Sequence, residues 1–280
     1  REEKLDMVKY LVSLDQIDIA SRNSDNETLL HTVCEKGNLD IAEYLVSLNK
    51  IEIGAFDKSQ NSILHLACKS GNFALVKFII DFKAIDIETT NNNGDTLLHE
   101  AVKSGNIELV KYLSKLKKID INARSGYREK TCLHIACEKN NIEIVRYLIK
   151  YLHVDPTITD SHNSNALLYA SENGNLELFK YLQSKGKYDL KALNDDGENV
   201  LHMACQSGKS ELVDYIIKSK QINIQEKTNN GQTVLHFATE SGNLDLVKYL
   251  LSFKQIDFNS KAGWGEKTFL HDLCEKGDLN

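Results

Sequence analysis

The sequence predicts an all-α solenoid of stacked helix-turn-helix units joined by β-hairpin turns. Three observations carry that prediction. Histidine recurs every 34 or 35 residues, at His31, His65, His99, His134, His202, His236 and His271, each after a leucine. The one skipped place holds Leu168. A small polar residue stands three positions before each of these places: Thr28, Ser62, Thr96, Thr131, Asn165, Asn199, Thr233 and Thr268. Glycine follows at Gly37, Gly71, Gly105, Gly174, Gly208, Gly242 and Gly277, with Asn140 in the remaining unit. A fixed period in this range means supersecondary units that bury their apolar faces only against their neighbours.

Each unit opens on a polar turn, such as Asn91-Asn92-Asn93-Gly94. The small polar residue can accept a bond from an orphan helix N–H, so it marks a helix start. A short first helix follows, Leu-His-x-Ala-Cys in its commonest form, and glycine or Asn140 ends it. A second helix comes next, as in Ile107 to Leu113, where Leu109, Val110, Leu113 and Leu116 form one apolar stripe. The unit closes on a stretch expected to be β-like: Ile85-Asp86-Ile87, Ile119-Asp120-Ile121 or Ile256-Asp257-Phe258. The chain reads as a single array. A partial unit covers residues 1–23, seven full units cover about 24–262, and a partial unit covers 263–280. Lys4 to Leu11 matches a second helix without a first, and the final residues match a first helix without a second. Terminal repeats normally carry a polar capping face. Neither end does, so the chain is expected to be a piece of a longer array.

This pattern resembles the ankyrin repeat, whose unit is a β-turn plus two antiparallel helices with a Thr-Pro-Leu-His-x-Ala signature. Thr28-Leu29-Leu30-His31, Thr96-Leu97-Leu98-His99 and Thr233-Val234-Leu235-His236 carry the resemblance. The signature proline is absent throughout, replaced by Leu, Ile, Val, Cys, Ala or Phe. The unit is also one residue longer than the common 33. The resemblance implies that the histidine holds the turn of an adjacent repeat by hydrogen bonds.

Composition narrows the function. Hydrophobic residues make up 41% and charged residues 26%, the balance of a folded chain. The net charge is −6 and no window concentrates Lys and Arg, which argues against nucleic acid as partner. No apolar run approaches the ~18 residues of a membrane span, so no direct membrane insertion is expected. The six cysteines follow the repeat and read as buried free thiols. That predicts a reducing, intracellular location, cytoplasmic or cytoskeleton-associated.

Five units contain His-x-x-Cys, and residues three apart share a helix face. A metal site needs ligands converging within about 2.0–2.3 Å of one ion, whereas successive helices lie ~8–10 Å apart. The pairs therefore form a column, and the cysteine fills a small core position that Val102, Ser171 and Thr239 hold elsewhere. No phosphate loop, paired-acid site or nucleophile elbow is present. No catalytic residue, metal ligand or cofactor is assigned. A column of aromatics from Tyr10 through Tyr249 occupies one place in each second helix and reads as packing.

Units differ where partners are bound. Two units carry an extra turn residue, in Ser125-Gly126-Tyr127-Arg128-Glu129-Lys130 and Ala262-Gly263-Trp264-Gly265-Glu266-Lys267. Each places a large aromatic at the hairpin tip, and exposed aromatics are enriched among interface hot spots. The opposing reading has each ring folded back on a hairpin. The residue after the histidine forms a variable apolar stripe, including Leu66, Ile135, Tyr169, Met203 and Phe237. It serves packing between first helices or, where exposed, a concave contact strip. The sequence thus predicts a non-enzymatic scaffold that binds a protein partner through its hairpin tips and concave first-helix face. Tyr127, Arg128, Trp264, Ile135, Tyr169, Met203 and Phe237 are the candidate contacts. The alternative is a structural component of a cytoskeletal or ciliary assembly.

Overall fold

A computed structural model describes residues 2–14, 16–83, 85–186 and 188–276. In chain order its helices are α1 (Glu2–Val12), α2 (Leu29–Glu35), α3 (Leu39–Ser47), α4 (Ile63–Ser70), α5 (Phe73–Asp81), α6 (Leu97–Ser104), α7 (Ile107–Leu113) and α8 (Cys132–Glu138). They continue as α9 (Ile142–Tyr151), α10 (Ala166–Glu172), α11 (Leu176–Lys185), α12 (Val200–Gln206), α13 (Ser210–Lys218), α14 (Val234–Glu240), α15 (Leu244–Leu251) and α16 (Phe269–Lys276). The one hairpin among the described residues with paired strands is β1 (Lys261–Ala262) with β2 (Lys267–Thr268), antiparallel. The chain divides into two compact units, residues 1–136 and 137–280.

Helices this short are marginal alone, because nucleation costs more than a few bonds return. Stacking supplies the missing stability. In the first unit α2 packs on α4 and α4 on α6; in the second α10 packs on α12 and α12 on α14. Leu30, Leu64 and Leu98 of the first unit and Leu167, Leu201 and Leu235 of the second are completely or almost completely buried in that stack. Alanine two residues after the histidine, at Ala67, Ala101, Ala170, Ala204 and Ala238, is fully buried and leaves room for the neighbouring helix.

The capping expectation is met at Ser62, Thr96, Asn165 and Asn199. Ser62 and Thr96 each accept the N–H of the histidine three residues on, as Asn199 does. At the far end Gly71 and Gly105 take left-handed conformations that close α4 and α6. Asn140 does the same job with φ +55°. Gly277 lies outside the described residues.

Two expectations change. The closing stretches are turns, not β-like segments. Asp86, Asp120 and Asp257 each accept the backbone N–H two residues on, at Glu88 (3.0 Å), Asn122 (2.9 Å) and Asn259 (2.9 Å). An aspartate that bonds its own backbone in this way competes with a strand ladder. The second helices also have caps that the sequence reading passed over. Asn38, Asn72, Asn106, Asn141, Asn175 and Asn243 accept the N–H three residues on. Asn175 Nδ2 reaches back to Asn140 Oδ1 at 2.6 Å, and three others reach back to a glycine carbonyl. Asn72 Nδ2 donates to Gly37 O, Asn106 Nδ2 to Gly71 O and Asn243 Nδ2 to Gly208 O, each at 2.7 Å. Only in α13 does Lys209 take this place, and it makes no side-chain cap.

Candidate functional site

The conserved-looking histidines of the sequence pattern are structural. In each described pair, the backbone N–H of the capping residue donates to the histidine Nδ1, at 3.1 Å for Thr28 to His31 and 3.2 Å for Asn199 to His202. That leaves the proton on Nε2. His65 Nε2 donates to Asp95 O at 3.2 Å and His202 Nε2 to Glu226 O at 3.1 Å, so each ring ties its own helix start to the following turn. Burial lowers their pKa, to about 4 for His99 and His202. His65 and His202 are neutral rings bonded at both nitrogens, which is a structural role.

Where the histidine is missing, at Leu168, the next residue bonds the turn of its own repeat. Tyr169 is buried and its hydroxyl donates to Asp160 Oδ2 at 2.7 Å. Asp160 Oδ1 accepts the backbone N–H of His162 and of Ser164, as Asp57 Oδ1 accepts that of Asn61.

The thiols offer no chemistry inside the core. Burial pushes Cys34 up to about 12 and drives Cys68, Cys132, Cys137 and Cys205 higher. Cys274, on α16, departs from the expectation of burial and is exposed. Among the described residues no group of three or more His, Cys, Asp or Glu is placed to hold a metal ion. None of the described helices is long and apolar enough to cross a membrane.

One polar cluster was not anticipated. Glu100 occupies the place after His99 that Leu66, Ile135, Tyr169, Met203 and Phe237 hold in other repeats, and it is 6% exposed. Lys103 Nζ reaches Asp95 Oδ1 at 2.7 Å and Glu100 Oε1 at 3.0 Å. Burial raises the Glu100 pKa, while Lys103 helps hold Asp95 below its ordinary value. A Glu, Lys pair three apart on one helix face was visible in the sequence; that both acids would be buried was not.

The stripe after the histidine is not an exposed contact strip. Leu66, Ile135, Tyr169, Met203 and Phe237 are all buried, at 3–8% exposure. First helices pack on their neighbours, and the residue after the histidine is covered in that stack. Ile135, Tyr169, Met203 and Phe237 therefore leave the set of contact candidates.

The hairpin tips behave differently. Tyr127 is 83% exposed and Trp264 fully exposed, so neither ring folds back on a hairpin. The cause is the extra residue. Successive tips are joined by backbone bonds: Lys58 N to Asp25 O, Asn92 N to Ser59 O, Asp195 N to His162 O and Asn229 N to Asp196 O. In the longer tips the donor is Gly126, bonding Asn93 O at 2.6 Å, or Gly263, bonding Asn230 O at 2.7 Å. These turns close as the others do, with Glu129 N on Gly126 O and Glu266 N on Gly263 O, but the ladder donor is the first residue of the turn and not the second, as Lys58 is in the turn that Gln60 N closes on Asp57 O. Tyr127-Arg128 and Trp264-Gly265 stand at the apex, beyond the ladder. Arg128 Nε donates to the Tyr127 hydroxyl at 3.0 Å and its guanidinium lies 5.8 Å from the ring centroid. Beside Trp264 lies a cleft of about 260 Å³, bordered by Asn230, Gln232, Gly265 and Lys267.

A family model of ankyrin repeats in three copies matches residues 48–125, 98–192 and 167–262, and one of ankyrin repeats in many copies matches residues 1–46. The chain belongs to the ankyrin repeat family. No curated protein matches it. Ankyrin repeats are in general protein–protein interaction modules and typically non-enzymatic. The helix pairs, capped starts and histidine-held turns above are the ankyrin unit, built here without the signature proline.

Proposed function

We propose that this ankyrin-repeat chain is a non-enzymatic scaffold that holds a protein partner at its aromatic hairpin tips. The observation that carries the reading is the exposure of Tyr127 and Trp264 at the two longer turns. Every other repeat has a polar tip, and leaving a large ring in water is unfavourable unless something covers it. Arg128 is pre-positioned on Tyr127, so it and the ring form one contact element. The concave first-helix face contributes little apolar contact, because its apolar residues are spent on packing. Five buried free thiols support a reducing, intracellular compartment.

The test compares capture from lysate by the unaltered chain and by the Tyr127→Ala/Trp264→Ala double variant. A soluble protein lost only with the double variant supports tip recognition. Equal capture by both chains, or recovery of a filament-associated assembly unaffected by the substitutions, sinks it and moves the reading to a structural component.

A further inference from the structure

The polar cluster of α6 reaches the base of one aromatic tip. Asp95 lies in the turn before α6 and is 2% exposed. Its backbone carbonyl accepts His65 Nε2 at 3.2 Å, from the preceding repeat. Its Oδ1 stands 2.7 Å from Lys103 Nζ, which also meets Glu100 Oε1 at 3.0 Å. The Ser125 hydroxyl, from the following repeat, is a hydrogen-bond partner of the same carboxyl. Asp95 therefore joins three repeats in succession.

The Tyr127 tip stands on Ser125, which is buried. Ser125 N donates to Lys130 O at 2.9 Å and Lys130 N to Ser125 O at 2.8 Å, so this pair closes the hairpin. The next residue, Gly126, gives its N–H to Asn93 O at 2.6 Å. Between Asn93 and Asp95, a Cβ on Gly94 would lie 3.6 Å from Arg124 O and 3.8 Å from Ser125 Cα. Asn93, Gly94 and Asp95 thus bear on the hairpin base as one strip, and Asp95 alone of the three carries a charge.

The Trp264 tip is a comparison within the same molecule. Its ladder bond is the same, from Gly263 N to Asn230 O at 2.7 Å. Counted from His236 as the others are from His99, every member of the network is replaced. Gln232 stands for Asp95, Phe237 for Glu100, Glu240 for Lys103 and Ala262 for Ser125. The two tips share their backbone bonds, and the charged anchor lies under the first. A hydrogen bond to an ionised group is roughly twice as strong as a neutral one, so that anchor stiffens the base it holds.

On the reading that the tips bind protein, we infer that Asp95, held by Lys103, is the positioning residue of the Tyr127 tip. It fixes the hairpin base, so the ring and Arg128 meet a partner already ordered. The Trp264 tip carries none of these groups and is ordered only as it binds. Ordering a loop in advance lowers the entropy lost on association, so the Tyr127 contact forms at the smaller cost.

The test is native-state amide exchange in the full chain, read as protection at Gly126 and Gly263, the two equivalent ladder donors. Protection at Gly126 should exceed that at Gly263 about ten- to hundredfold, the range set by a bond to a charged group. Ser125→Ala removes the hydroxyl and leaves the buried charges paired. It should bring Gly126 to the level of Gly263 and leave Gly263 unchanged. Lys103→Met should do the same, and Lys103→Arg should retain the protection. Glu100→Ile keeps the Lys103–Asp95 pair and should retain it too. Leu98→Ala lowers the stability of the same repeat without touching the network, so it should leave Gly126 protected. Equal protection of the two glycines in the unaltered chain overturns the inference, as does a loss at Gly126 as large with Leu98→Ala as with Ser125→Ala. Capture from lysate separates this from tip recognition. If Ser125→Ala frees Gly126 while capture survives Tyr127→Ala/Trp264→Ala, positioning stands and recognition falls. If capture needs the rings and Gly126 ignores Ser125→Ala, recognition stands and positioning falls.

Discussion

The asparagine caps make Lys209 a defect that can be repaired. Replacing it by asparagine should stabilise the repeat that contains α12 and α13. The gain has two parts. A side-chain cap on the third N–H, as Asn243 gives Leu246 at 3.0 Å, is worth about 1 kcal/mol. A second bond, from Nδ2 to Gly174 O by analogy with Asn243 to Gly208 O at 2.7 Å, adds about 0.5–1.5 kcal/mol net. Against these stands the lost lysine stem. It lies over Gly174 so closely that a Cβ there would meet Lys209 Cγ at 2.3 Å. Removing that cover costs less than either bond, which leaves about 1 kcal/mol. The assay is native-state hydrogen exchange at the Leu212 amide, now bonded only to Lys209 O at 3.1 Å. A gain of 1 kcal/mol slows local opening about fivefold. Lys209→Ala is the control, since it removes the stem and adds no cap. Exchange slowed as much by alanine as by asparagine, or not slowed by asparagine at all, would refute the argument.

Lys103→Met leaves Asp95 and Glu100 buried without their cation. Urea unfolding should show a loss of about 3 kcal/mol, whereas Glu100→Ile should be near neutral. Gly197→Ala meets two obstacles, φ +77° and a Cβ only 2.7 Å from Asn229 N. It should cost about 1–3 kcal/mol by the same measurement. His99 and His202 have folded pKa values of about 4, below the ordinary 6.5. The unfolded chain therefore binds more protons between those values, so stability is full above pH 6.5 and falls steadily toward pH 4. Calorimetry at pH 5 should find close to one proton taken up per such histidine on unfolding, and His202→Gln should remove one of them. Trp264, being fully exposed, should be quenched by acrylamide nearly as fast as free tryptophan.

The fold was legible because a repeat states its pattern many times. Eight capping residues, seven histidines and a recurring Leu-x-x-Ala core agree on one unit, and stacking against the neighbouring repeats is where its apolar residues can be buried. The two longer turns were legible too, since an inserted residue in a short turn has no room inside the ladder. What periodicity cannot reveal is depth. Ile135, Tyr169, Met203 and Phe237 each stand on a helix of two turns in a run of buried residues, and only the packed neighbour shows that they are covered. The same holds for Glu100, a charge sealed by Lys103 from its own helix, a lysine that it shares with Asp95 from the turn before it. The second role of the Asn72, Asn106 and Asn243 amides spans two repeats, so it exists only once they stack. Sequence by itself determined the unit, its caps and the odd turns, because those depend on residues a few positions apart. Tertiary structure alone decided which residues face water, because that depends on what the next repeat lays over them.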